Sequence, residues 1–253
     1  MAEILESPLR GKTALVTGAS AGIGAATARL LAGRGMRVVL AARREERLQQ
    51  LAKELDPAGG RTSVCACDCS QQEDIDRLFR QAIDFAGGAL DAVVVNAGVG
   101  LAGGVASSNE DRWEQLYRLN VLGAGRLMRK AAEHQMKLGH GDIVVIGSVV
   151  GVNISPFSGF YGSSKFAVGA MAEALRREVC GSGVRVSTVK PGIVTSEFQD
   201  AAGYTDSFKQ ATQRFGKMLD PEDVARVIAF VLSQPPDVHV NDIMVRPLRQ
   251  DYP

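Results

Sequence analysis

The sequence predicts an α/β fold in which a doubly wound parallel sheet of about seven strands forms one domain. Short apolar, β-branched runs alternate with longer segments of helical period, which implies parallel strands joined by crossover helices. The runs are apolar at consecutive positions rather than at every second one, as expected of a sheet covered on both faces. No linker, low-complexity segment or internal repeat interrupts the rhythm, and 253 residues suit a single domain of this kind.

Taken in order, the strands read at 13–17, 37–41, 62–67, 92–95, 143–146, 184–189 and 242–245. The spacing predicts helices over 25–33, 44–55, 111–138 and 160–180. The second of these carries Leu48, Leu51, Ala52 and Leu55 on one face. A last helix is announced by Asp220 as N-cap, Pro221 at the first helical position and acids Glu222 and Asp223 in the first turn. The apolar set Val224, Val227, Ile228 and Val231 follows at helical spacing.

Composition narrows the function classes. Hydrophobic residues make up 45% and charged residues 23%, which is ordinary for a soluble globular protein with a sizeable core. Lys and Arg number 29 against 28 Asp and Glu, so neither a nucleic-acid footprint nor a polybasic membrane patch is expected. The first ten residues include Glu3 and Glu6 without an apolar core, and no stretch approaches the ~20 apolar residues of a membrane span. A cytoplasmic protein is the expectation. Cys65, Cys67 and Cys69 could suggest a metal site, but His134, His140 and His239 all lie far along the chain. On a strand the three thiols share one face, so they read as small buried fillers, and no metal is expected.

Chemistry first appears after the first strand. Gly18-Ala19-Ser20-Ala21-Gly22-Ile23-Gly24 runs into a helix, and such glycines let backbone N–H groups approach a pyrophosphate at the helix N-terminus. An ordinary structural turn would also use glycine, but the position between strand and helix favours a Rossmann-type dinucleotide site. At the end of the second strand an acid would hold the adenosine ribose hydroxyls. Here stand Ala42, Arg43 and Arg44, and guanidiniums at a helix start oppose the macrodipole unless an anion joins them. NADPH is therefore expected over NADH.

Tyr161 and Lys165 are four residues apart, so on a helix the phenol and the ammonium share a face. Nearby positive charge favours phenolate and would bring the tyrosine from its ordinary ~10 toward a working range. Ser148 and Asn96-Ala97-Gly98 end strands, where an open α/β sheet places its ligand. Asn120 falls inside a long helix, a position its amide disfavours unless it has a partner to serve.

With these motifs in this order, the sequence resembles the short-chain dehydrogenase/reductase family in its single-domain form, from Gly11 to about Pro247. The resemblance implies a catalytic set of Ser148, Tyr161, Lys165 and Asn120. Ser148 would orient the substrate oxygen, Tyr161 would exchange its proton, and Lys165 would tune the tyrosine and hold the nicotinamide ribose. Asn120 would anchor a water between Lys165 and solvent. It also implies NADP(H) contacts from Gly18, Ser20, Gly22, Ile23, Gly24, Arg43, Arg44, Asp68, Asn96, Gly98, Tyr161, Lys165, Pro191, Gly192, Val194 and Thr195. The chain departs from the family pattern at Val95 and Gly147, where Asn and Ser are common, and at Ala21, where NADPH users often carry a basic residue.

The expected activity is hydride transfer between nicotinamide and an alcohol or carbonyl carbon of a small substrate, as in carbonyl reductases or 3-hydroxy acid dehydrogenases. Residues 155–158 and Phe160 would flank the reacting carbon, and residues 197–215 would form a lid with Phe198, Tyr204 and Phe208 as pocket aromatics or packing residues. His239 reads as a loop residue. A silent NADPH-binding scaffold is the main alternative, which the intact Tyr–Lys pair opposes, and a methyltransferase is a distant one. The family also suggests a homodimer or homotetramer packed through the helices at 111–138 and 160–180. Leu127, Met128, Ala131, Ala132, Ala167, Ala170, Met171 and Ala174 suit either that interface or the chain's own core.

Overall fold

The structure, a computed structural model, describes residues 7–204, 210 and 212–252. Among these residues seven parallel strands form one sheet in the order β3-β2-β1-β4-β5-β6-β7. They are β1 (Thr13–Thr17), β2 (Arg37–Ala42), β3 (Thr62–Ala66), β4 (Ala92–Val95), β5 (Gly141–Ile146), β6 (Val184–Pro191) and β7 (Asp242–Val245). The main helices are α1 (Gly22–Gly33), α2 (Glu45–Leu55), α3 (Gln72–Phe85), α4 (Trp113–Tyr117), α5 (Ala124–Leu138) and α6 (Gly159–Val179), then α7 (Phe198–Ala202) and α8 (Pro221–Leu232). The chain winds outward from β1 to β3, then returns to lay β4 on the other side of β1, with Leu15 opposite Val93. Connections leave this pair in opposite directions, so a crevice opens beyond the carboxyl ends of β1 and β4.

Side chains alternate across the sheet and fill two cores. Val16, Val38, Leu40, Val94 and Val144 face α1, α2 and α8, while Leu15, Val39, Val93, Val95 and Val145 face α3, α5 and α6. Burial on both faces is the reason these strands are apolar at consecutive positions. Cys65, Cys67 and Cys69 continue the alternation past β3 and fill the second core beside Ile75 and Leu78. At the start of α8 the Asp220 N–H donates to the Asp223 carboxylate at 2.7 Å, with Pro221 as the first helical residue. His239 meets the Val186 carbonyl at 2.8 Å, within a loop.

Two expectations change. The helix expected over 111–138 is broken into a 3₁₀ turn at Glu110–Arg112, α4, a π-helical stretch at Arg118–Gly123, and α5. The widened turn contains Asn120, whose amide pairs with both backbone groups of Val99, at 2.9 Å and 2.8 Å. Helix α3 was not anticipated, although Ile75, Leu78, Phe79 and Ala82 repeat at helical spacing and are buried. Leu127, Met128, Ala131 and Ala132 lie in the chain's own core, whereas Leu122, Met136 and Phe166 are exposed. Among the described residues no helix is long and apolar enough to cross a membrane, and no three potential metal ligands cluster.

Candidate active site

The floor of the crevice is the loop from β1 to α1. Gly18 (φ +69°) and Gly22 (φ +52°) adopt backbone that side chains disfavour. A β-carbon on Gly24 would collide with the Gly18 carbonyl oxygen and lie 2.7 Å from the Asn96 amide nitrogen. No side chain caps α1 at Ala21, and its first turn has no acid, so its amide end is suited to an anion. Thr17 ties the ends of β1 and β4 together. Its hydroxyl accepts from the N–H groups of Asn96 (3.0 Å) and Ala97 (3.1 Å) and donates to Val94 O (3.1 Å). Asn96 Nδ2 donates to Thr17 O at 2.8 Å, so its amide braces the loop from beneath while the residue lines the crevice.

One end of the crevice is cationic. Arg43 and Arg44 line it beside Ser20, and Arg44 Nε donates to the Ser20 hydroxyl at 3.2 Å. Asp68 lines the same end; its carboxylate accepts from Ser70 N–H at 2.9 Å, and its own N–H is held by Asp74 at 2.8 Å. Gly98, Pro191, Gly192 and Val194 continue the wall toward the other end.

At the other end α6 presents Tyr161 and Lys165 from successive turns, and Ser148, just beyond β5, meets them. Ser148 lines the cleft beside the Tyr161 phenol, and its hydroxyl accepts from Val150 N–H at 3.3 Å. Lys165 Nζ donates to Ile146 O at 2.8 Å and stands 5.8 Å from the centroid of the Tyr161 ring. Burial pushes the phenol up from its ordinary value, the neighbouring Tyr204 adds to this, and the nearby Ser148 hydroxyl pulls it back. The spacing predicts a phenol lowered by Lys165 together with an oxidised nicotinamide; in the protein alone burial dominates. The same desolvation lowers Lys165 to about 8. Phe198 packs on the Tyr161 ring with centroids 5.5 Å apart, and the Tyr204 and Ser158 hydroxyls are 2.8 Å apart.

Most of the anticipated residues converge on this crevice, but not all. Gly24 lies beneath the loop rather than in the wall. Asn120 is buried behind the wall, and its amide hydrogens are spent on Val99 O and on Ser164 Oγ at 3.2 Å. Thr195 is exposed with its N–H bound to Leu219 O at 2.8 Å, and the neighbouring Ser196 and Glu197 line the crevice instead. Phe160 turns away to stack on Trp113, centroids 3.7 Å apart, and Phe157 reaches the crevice in its place. Phe208 falls outside the described residues.

The whole is one continuous cleft of about 1260 Å³, from Arg43 to Tyr204. Ligand pockets commonly span roughly 300–1,000 Å³, so it has room for a dinucleotide and a second small molecule. Residues 12–206 match the short chain dehydrogenase family. The chain is a short-chain dehydrogenase/reductase. It is 36% identical to bovine (Bos taurus) dehydrogenase/reductase SDR family member 11 over 95% of this chain and 98% of that one. It is 35% identical to glycine betaine reductase ATRR of Emericella nidulans across 98% of this chain, which spans 19% of that protein's length. Among solved structures it resembles the alcohol dehydrogenase of the archaeon Thermococcus sibiricus complexed with 5-hydroxy-NADP. The TM-score is 0.85 and the identity 29%, covering 96% of this chain and 99% of the other. In this short-chain dehydrogenase/reductase Ser148, Tyr161 and Lys165 stand together around one cleft.

Proposed function

We propose that this short-chain dehydrogenase/reductase is an NADPH-dependent oxidoreductase that interconverts an alcohol and a carbonyl on a small organic substrate. The observation that carries the reading is the meeting of Ser148, Tyr161 and Lys165 in the cleft that also holds the glycine loop and the arginine end. The residues present fit a dinucleotide phosphate. The uncapped amide end of α1 suits the pyrophosphate, Gly18 and Gly22 line the cleft beside it, and Arg43 and Arg44 stand where a 2′-phosphate would lie. The likeness to a structure complexed with 5-hydroxy-NADP supports the same choice.

Bound NADPH supplies the hydride. Ser148 donates a hydrogen bond to the substrate oxygen as negative charge gathers there. The Tyr161 phenol, held protonated by burial, gives its proton to that oxygen during carbonyl reduction and takes one back during alcohol oxidation. Lys165 would return a proton to Tyr161 from the solvent side and would hold the nicotinamide ribose when the dinucleotide is bound. Asn120 acts through the backbone, since its amide is engaged, and places the π-helical turn against Ser164 of α6. Phe157, Phe198 and Tyr204 frame the substrate. A homodimer or homotetramer using the exposed Leu122, Met136 and Phe166 belongs to the same reading.

The test is NADPH consumption with a panel of aldehydes, ketones, diketones and 3-keto acids, with NADH in parallel. Turnover with NADPH supports the reading; tight NADPH binding without turnover on any class contradicts it. Arg43→Ala with Arg44→Ala is expected to weaken NADPH by about 10–100-fold and NADH by no more than about threefold, because only the former loses charge-assisted bonds. Titration of the reduced-nicotinamide fluorescence reads both. Gly24→Ala is expected to weaken both dinucleotides alike by at least about tenfold, because its β-carbon meets the Gly18 carbonyl and the Asn96 amide. The same titration separates it from the arginine variant.

A further inference from the structure

Glu197 lies on the segment after β6, at the start of α7, and reaches the arginine end of the cleft. Its Oε2 accepts from Arg44 Nη1 at 2.9 Å, and Arg47 Nη1 donates to Oε1 and Oε2 at 2.8 Å and 2.9 Å. The adjoining Ser196 stands over the glycine loop, 3.6 Å from where a β-carbon on Gly22 would be. The segment is thus clasped to the N-terminus of α2 beside the place of the 2′-phosphate. Arg44 is divided between Ser20 and Glu197, whereas Arg43 has no hydrogen bond or ion pair among the described residues.

We propose that Glu197 is a specificity-determining residue, a resident carboxylate that competes with the cofactor's 2′-phosphate for Arg44 and so limits the preference for NADP(H) over NAD(H). This rests on the dinucleotide reading above. The two guanidiniums, Arg44 first, hold the Glu197 carboxyl below the usual carboxylate range, so it is ionised at neutral pH. A 2′-phosphate sharing Arg44 with it meets a like charge and a guanidinium with fewer open donors. A 2′-hydroxyl meets neither cost. Arg47 retains Glu197 when Arg44 turns to a phosphate, so the segment remains clasped with either cofactor. The side chains of Arg44 and Glu197 are 45% and 59% exposed, so solvent screens the competition and the effect is moderate.

The test is calorimetric titration of NADP⁺ and NAD⁺ into the full chain, its Glu197→Gln variant, and Glu133→Gln as a control. Glu133 is an acid on α5 that pairs with Arg129. Glu197→Gln is expected to tighten NADP⁺ by about three- to tenfold and to leave NAD⁺ within about twofold. The gain should shrink as salt is raised, and Glu133→Gln should reproduce none of it. Equal tightening of both dinucleotides, no change in either, or weaker NADP⁺ would overturn the proposal. A wild-type chain that holds NAD⁺ as tightly as NADP⁺ contradicts the NADP(H) preference, yet a gain confined to NADP⁺ in Glu197→Gln still supports the competition.

Discussion

Tyr161→Phe is expected to lower NADPH turnover with a carbonyl substrate by about 10²–10⁴-fold while NADPH affinity changes less than about threefold. The substitution removes one oxygen from a buried ring that remains packed on Phe198. The fold therefore persists. What disappears is the proton for the substrate oxygen. Because burial raises the phenol, the wild-type tyrosine is protonated through the neutral range and serves as an acid without prior ionisation. Steady-state rates beside a fluorescence titration separate the two effects. Equal losses in rate and affinity would mean that Tyr161 holds the cofactor and moves no proton.

Lys165→Met is expected to abolish turnover to a similar extent and, at the same time, to stabilise the chain at neutral pH. Lys165 is half-buried at the cleft wall, its ammonium donates to the Ile146 carbonyl, and desolvation lowers it to about 8. An unfolded lysine titrates near ~10.4, so between pH 8 and roughly 10.4 the unfolded chain binds the extra proton. Stability contributed by this group therefore rises with pH across that window and is lowest below it. Methionine has no charge to desolvate, so the variant should gain about 1–3 kcal/mol at pH 7 and lose that rise. Urea unfolding at pH 7 and pH 9.5 reads both. A variant less stable than wild type at pH 7 would show that the ammonium is better satisfied than Ile146 O alone implies.

Sequence patterns made legible whatever depends on local spacing. The glycine loop needs only a strand before it and a helix after it, and Tyr161 and Lys165 need only one helical turn between them. Ser148 and Asn96 were marked by the strand ends they follow. Features that depend on contacts distant in sequence were not legible. Glu197 meets Arg44 across 153 positions, and Asn120 finds Val99 through a π-helical turn that no periodicity announces. Phe157 and Phe160 are three residues apart with equal claims on the cleft, and only the stacking partner Trp113 decides between them. Adjacency of Tyr161 to a cation can be read from spacing, while the depth of its burial cannot.

The most direct measurement is the transfer of label from NADPH deuterated at the transferable position of the nicotinamide ring. The chain is incubated with whichever carbonyl compound supports consumption, and the product alcohol is analysed by mass spectrometry beside the Tyr161→Phe protein. Deuterium on the carbinol carbon, formed by the wild-type chain and nearly absent with Tyr161→Phe, is the predicted result. NADPH held tightly with no label leaving it, or label transferred equally well by both proteins, would contradict the assignment of this cleft as a hydride-transfer site with Tyr161 as its acid.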